Sequence, residues 1–291
     1  MQYGKLSLVR YNSVVTRREF SALMLGGAAR ILSTYSGVAV GAQTFSFREL
    51  PLNRAIAAMR DLGLGYAELS QRHVLPTEPA ALKQWRTSAP LEEFRHIRKR
   101  FDDAGIVLCA YTYGFRANFT DAEIAHGFEM AKALGVDTLN TSANVSMAAR
   151  IEQFAATFKM RVGFHNHASM APNEFSTPED FRKALQAGPK HLRINLDIGH
   201  FTAAGFDPVS FLEQNAGRIT TVHIKDRKRN TAGQQGENVP FGQGDTPFRE
   251  VLRLMKTKQY KIPALIEYEY KGADPIVEVR RCFDYIKEAL A

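Results

Sequence analysis

Eight short apolar runs, each followed by a stretch with helical spacing, leave this chain few ways to fold. The runs are VAVGAQTFSF (38–47), GYAELS (65–70), IVLCAYTY (106–113), VDTLNTS (136–142), MRVGFHN (160–166), LRINLDI (192–198), ITTVHIK (219–225) and IPALIEY (262–268). Runs of this length and apolarity suit strands of a parallel sheet covered on both faces. Between them, LEEFRHIRKRFDDAG and DAEIAHGFEMAKALG end on Gly, the expected helix C-cap residue. The segments STPEDFRKALQAG and TPFREVLRLMKT open with Ser/Thr and Pro, which predicts two helix starts. Strands alternating with helices from residue 37 to 291 predict a single-domain α/β fold, a (β/α)8 barrel. A doubly wound open sheet would place a Gly-rich phosphate turn after its first strand, where this chain reads SFREL. No linker, low-complexity stretch or second domain interrupts the alternation.

At 291 residues the chain is of ordinary size for one such barrel, and 45% hydrophobic against 23% charged residues supplies a core and excludes a disordered chain. The net charge of +8 does not call for a nucleic-acid partner: Lys5, Arg10, Arg17, Arg18 and Arg30 against Glu19 put half of it in residues 1–36. Two cysteines, Cys109 and Cys282, are too few for a disulfide framework and read as packing residues.

Residues 1–36 form an N-terminal extension. Thr16-Arg17-Arg18-Glu19-Phe20, followed by the small-residue stretch SALMLGGAARILSTYSGVAV, resembles a twin-arginine export signal. Arg30 interrupts the stretch and no clean Ala-x-Ala site follows, so the cleavage point is not defined. The expectation is an exported, periplasmic protein, cytoplasmic if the segment does not act as a signal. No other segment reaches the length of a membrane span.

A barrel carries its chemistry at the C-terminal ends of its strands. There the sequence places Glu68 on the second strand, His165, Asn166 and His167 on the fifth, Asp197 and His200 on the sixth, His223 and Lys225 on the seventh and Glu267 on the eighth. A carboxylate at a buried strand end is costly unless paired or metal-bound. Two carboxylates facing two imidazoles suit one divalent ion, Mn²⁺, Zn²⁺, Co²⁺ or Mg²⁺. His73, His96, His126 and His191 fall away from strand ends and read as surface residues.

FHNH, LDIGH, VHIKD, the loop VPFGQGDTPFREVL and IEY, in this order, resemble the sugar isomerase/epimerase superfamily, the xylose-isomerase-like TIM barrels. The resemblance spans residues 38–290. It implies one metal held by His165, Asp197, His223 and Glu267, with His165 standing where the epimerases commonly have Glu. The FHNH form looks like a branch of exported proteins acting on 3-keto glycosides or related sugars. The substrate is then a small-molecule sugar, bound by Glu68, Asn166, His200 and Phe241. Phe45, Phe47 and Tyr111 are further candidates for packing on its apolar faces. The expected chemistry is removal of a proton beside a ketone, ending in epimerisation or in elimination. Glu267 is one acid/base residue, and with His165 in place of Glu, His167 or Lys225 supplies the other, which leans towards elimination. A non-catalytic sugar-binding barrel is the alternative. A nuclease like endonuclease IV is disfavoured, since Gly236-Glu237-Asn238 lacks that enzyme's additional ligands. Assembly into a homo-oligomer is compatible with the sequence.

Overall fold

The computed structural model describes residues 34–291, so Arg17, Arg18 and all but the last three residues of the expected extension 1–36 lie outside the described residues. All eight predicted runs form strands: β1 (Val38–Gln43), β2 (Tyr66–Ser70), β3 (Val107–Thr112), β4 (Thr138–Thr141), β5 (Arg161–His165), β6 (Leu192–Asp197), β7 (Ile219–Ile224) and β8 (Ala264–Ile266). Each pairs in parallel with the next, and β1 closes the ring on β8 through Val40↔Ala264, Gly41↔Leu265 and Ala42↔Ile266. The result is a closed eight-stranded (β/α)8 barrel with helices outside it. A two-residue strand, Thr34–Tyr35, turns back antiparallel onto β1 and was not expected from the sequence. No helix among the described residues is long and apolar enough to cross a membrane.

Local chemistry sets the helix ends. Helices Leu91–Asp103 and Asp121–Ala133 end two residues before Gly105 and Gly135, whose φ values of 73° and 66° an L side chain seldom adopts. Thr177 caps helix Pro178–Ala187 in a reciprocal box with Asp180. Thr246 does not cap the following helix, Phe248–Thr257. Its hydroxyl accepts the buried N–H of Arg227, tying down the loop after β7 instead.

Apolar side chains fill the layer between barrel and helices, with Phe94, Phe101, Phe115, Phe128, Phe164 and Phe201 fully buried. Tyr111 and Phe47 belong to that packing. Tyr111 packs on Phe94 and Tyr113, and Phe47 is fully buried in the same apolar core. The upper barrel interior is polar instead, holding Gln43, Glu68, Asn140, Asn195 and Thr221. Gly163 makes room for them: a Cβ there would stand 2.4 Å from Asn140 Oδ1 and 2.5 Å from Thr220 Oγ1. Register shifts fall at Ala67/Glu68 and Ile194/Asn195, immediately before two residues that support the site. Irregular pairing at such positions re-aims the side chains that follow.

Candidate metal centre

Four strand ends converge. Single ligand atoms of His165, Asp197, His223 and Glu267 lie within 4.8 Å of one another, and all four residues are buried. The two imidazoles are oriented from behind. His165 Nδ1 donates to Asn195 Oδ1 at 2.7 Å, which leaves the Nε2 lone pair as its ligand atom for the cluster. His223 Nε2 donates to Glu68 Oε2 at 3.0 Å, leaving Nδ1 to face Glu267 Oε2 at 3.2 Å.

Glu68 is completely buried and takes hydrogen bonds from Thr112, from Asn140 at 2.8 Å and from Gln43 at 3.5 Å. It was expected at the substrate. With both oxygens engaged, it is the support of His223 instead. Burial raises its carboxyl pKa, but His223 and these donors outweigh that and hold it low. Burial pulls the His223 imidazole down, and the flanking Glu68 and Glu267 carboxylates more than reverse this.

Asp197 caps the short helix Ile198–Ala203, its Oδ1 accepting His200 N–H at 2.6 Å. Asn166, also expected at the substrate, is spent on Asp197: its amide accepts from the Asp197 N–H at 3.0 Å and donates to the Asp197 carbonyl at 2.9 Å. The clamp fixes the backbone of one candidate ligand from the neighbouring strand.

Three atoms of the cluster, Asp197 Oδ2, His223 Nδ1 and Glu267 Oε2, are buried without a directed hydrogen bond. Buried polar atoms are rarely left so unless something else completes them. Two imidazole nitrogens and two carboxylate oxygens aimed at one point suit a divalent transition ion or Mg²⁺, so the donor set fits the expected metal.

Lys225 reaches the same cluster. Its ammonium lies 2.5 Å from Glu269 Oε2, 2.9 Å from Glu267 Oε2 and 3.2 Å from Asp197 Oδ2. Burial disfavours the charge, yet the three carboxylates overcome it and push the pKa above that of a free lysine. Among these carboxylates Lys225 is held as a cation, and its expected part as a base would require that proton to leave first. Asp226 is not its partner: that carboxylate accepts the N–H groups of Gly242, Gly244 and Thr246 and folds the loop after β7.

His167 sits edge-on to His165 at 5.0 Å and to His200 at 5.5 Å. Burial and the neighbouring His165 and Lys225 lower its pKa to about 3, so the ring is neutral. His200 is neutral for the same reasons, burial first and Lys225 second, and its two ring nitrogens face Arg227 Nη1 at 2.8 Å and Lys225 Nζ at 3.2 Å. Phe241 is not brought to this cluster. Its ring packs on Phe248 and Tyr285, from the outer helices. Away from the site, His126 is buried rather than on the surface, bonded to Glu129 and to the Ala89 carbonyl. His96 is exposed, His73 and His191 are half-buried, and both cysteines are free.

The sequence reading missed Asn195, Asn140, Gln43, Thr112, Thr221 and Glu269. A signal was present, since side chains two apart on a strand share a face. Asn195 precedes Asp197 by two, Thr221 precedes His223 by two, and Glu269 follows Glu267 by two.

A family model described as "Xylose isomerase-like TIM barrel" matches residues 56–289. The chain belongs to that family. Among curated relatives of this xylose isomerase-like barrel, L-ribulose-5-phosphate 3-epimerase UlaE of Escherichia coli is 34% identical over 96 residues, 33% of this chain and 32% of the relative. The match thus spans about a third of that enzyme's length. A crystal structure of an uncharacterised protein from Parabacteroides distasonis superposes with a TM-score of 0.60 at 25% identity, covering 87% of this chain and 99% of its own. The 3-keto-D-glucoside 4-epimerase YcjR of Escherichia coli, in its apo form, gives a TM-score of 0.65 at 14% identity over 86% and 99% of the two chains. At that identity the likeness is one of fold.

Proposed function

We propose that this xylose isomerase-like barrel is a metal-dependent enzyme acting on a small keto sugar, by removing the proton beside the ketone. The observation that carries the reading is the set of inward-facing, incompletely bonded ligand atoms on His165, Asp197, His223 and Glu267, with a cation and a neutral imidazole beside them. A divalent ion held there supplies polarisation of a carbonyl and acidifies the adjacent C–H. Lys225, fixed as an ammonium, stabilises negative charge developing on the substrate oxygens. His167, neutral and only partly buried, accepts the proton. Glu267 is the second candidate acid/base group, and the contrast between one carboxylate and one imidazole favours elimination over a symmetric two-base epimerisation. The names of two relatives, a ribulose-phosphate epimerase and a 3-keto-glucoside epimerase, support a ketose or 3-keto glycoside as substrate. The paired Arg17 and Arg18 support export by the twin-arginine route. Unchanged fractionation of an Arg17→Lys, Arg18→Lys variant would refute it.

The deciding experiment is solvent deuterium exchange into a 3-keto glucoside at the carbon beside the ketone, followed by NMR. Exchange with a released aglycone means elimination, and exchange with an inverted centre means epimerisation. A folded, metal-loaded protein that exchanges no keto sugar is a binding protein.

A further inference from the structure

One charged group in the barrel has too many partners for a bystander. Lys225 Nζ lies near the two carboxylates of the candidate metal set and also touches Glu269, which is outside that set. Its ammonium is positioned against the two oxygens, Asp197 Oδ2 and Glu267 Oε2, that a divalent ion would need. The side chain is 2% exposed, so water does little to weaken the contact. Glu269 differs from the other two carboxylates. It is 24% exposed and lines a rim cavity of about 280 Å³ together with Ser46, Arg48 and Tyr268.

We propose that Lys225 is a resident cation competing with the divalent ion for Asp197 and Glu267, and that Glu269 is the positioning residue that keeps the ammonium when the ion displaces it. The charges make the case. Asp197 and Glu267 give the four-residue donor set a charge of −2, which Lys225 reduces by one, and Glu269 restores what the lysine removes. Without Glu269 the ammonium has only the two ligand carboxylates to hold it, and their affinity for a metal falls. With Glu269, the lysine gives up two contacts, retains the third, and comes to rest toward the rim cavity. The proposal rests on the metal reading above, but makes no use of the sugar.

The test is titration of the metal-stripped full-length protein with Mn²⁺ in the absence of substrate, followed by calorimetry. Lys225→Met should bind Mn²⁺ at least tenfold more tightly than wild type, and Glu269→Gln at least fivefold more weakly. In the double variant the Glu269→Gln loss should shrink to less than twofold, because its effect runs through the lysine. A crystal structure of the wild-type protein with Mn²⁺ needs no substitution that risks the fold: Lys225 Nζ should remain within hydrogen-bond distance of Glu269 and leave Asp197. Weaker binding by folded Lys225→Met, an undiminished Glu269→Gln loss in the double variant, or a lysine still on Asp197 beside the bound ion would each overturn the proposal. A wild-type protein that binds no Mn²⁺ overturns both this and the metal reading. Normal binding with no response to Lys225 overturns this alone.

Discussion

Asn195 governs the direction of His165 through one buried hydrogen bond, so its loss should be felt at the metal rather than in the fold. Asn195→Val keeps the volume roughly but leaves the His165 Nδ1–H without an acceptor, and the ring is free to change tautomer or turn. Residues supporting a metal-binding histidine typically contribute about 10–100-fold to affinity. Mn²⁺ titration of Asn195→Val should show a loss in that range with an unchanged circular dichroism spectrum. An unaltered affinity would mean that His165 does not depend on this partner. His167 makes a different prediction, because its pKa is depressed to about 3 from the ordinary 6.5. Between those values the unfolded chain binds a proton that the folded protein does not, so stability falls as pH drops below 6.5. Replacing the ring by Gln removes that difference. Urea unfolding of the metal-free proteins should show wild type losing about 2 kcal/mol more than His167→Gln between pH 6.5 and pH 4, a figure discounted for the ring's partial exposure. Parallel curves would show that the ring is not buried as a neutral group.

Strand ends were legible because a barrel assigns them a place and because buried carboxylates and histidines there are conspicuous. The support behind them was less so. Asn140, Thr112 and Gln43 read as ordinary polar residues within apolar runs, and only closure of the barrel brings β1, β3 and β4 to Glu68. Glu68 and Asn166 were located correctly but given the wrong neighbours, since the sequence shows where a strand ends and not which side chain faces across it. Phe241 was misplaced for another reason: the loop after β7 is folded by the Asp226 carboxylate and carries that ring onto the helices. The two Thr-Pro helix starts also separate at this level. Thr177→Ala removes an N-cap and should cost about 1 kcal/mol. Thr246→Ala leaves the buried Arg227 N–H without an acceptor, at about 1–3 kcal/mol, and should loosen the loop after β7 while the helix Phe248–Thr257 remains. Hydrogen exchange separates the two: faster exchange confined to the first turn of Pro178–Ala187 for Thr177→Ala, and across residues 227–246 for Thr246→Ala. Protection lost in the Phe248–Thr257 helix would mean that Thr246 acts as its cap after all.

A metal held by the cluster would be coupled to the whole barrel, because the cluster joins strands β5, β6, β7 and β8, half of the closed ring. An ion that binds only the folded state stabilises it by mass action, by about 2.7 kcal/mol at a hundredfold excess over the dissociation constant. For a domain of this size each kilocalorie per mole raises the melting temperature by about 2–4 °C. Saturating Mn²⁺ should therefore raise the melting temperature of the stripped protein by about 5–10 °C, and a chelator should return it. The increase belongs to the cluster and not to acidic residues on the surface, so Asp197→Asn should show none of it. Asp197 is the discriminating position because its backbone is already clamped by Asn166 and its Oδ1 by His200 N–H, so an amide at Oδ2 removes the ligand and one of the three carboxylates facing Lys225 while Glu267 and Glu269 still hold the ammonium. An equal rise in Asp197→Asn would place the stabilising ion elsewhere on the protein, and the buried donors at the four strand ends would then stand as a polar core held together by Lys225.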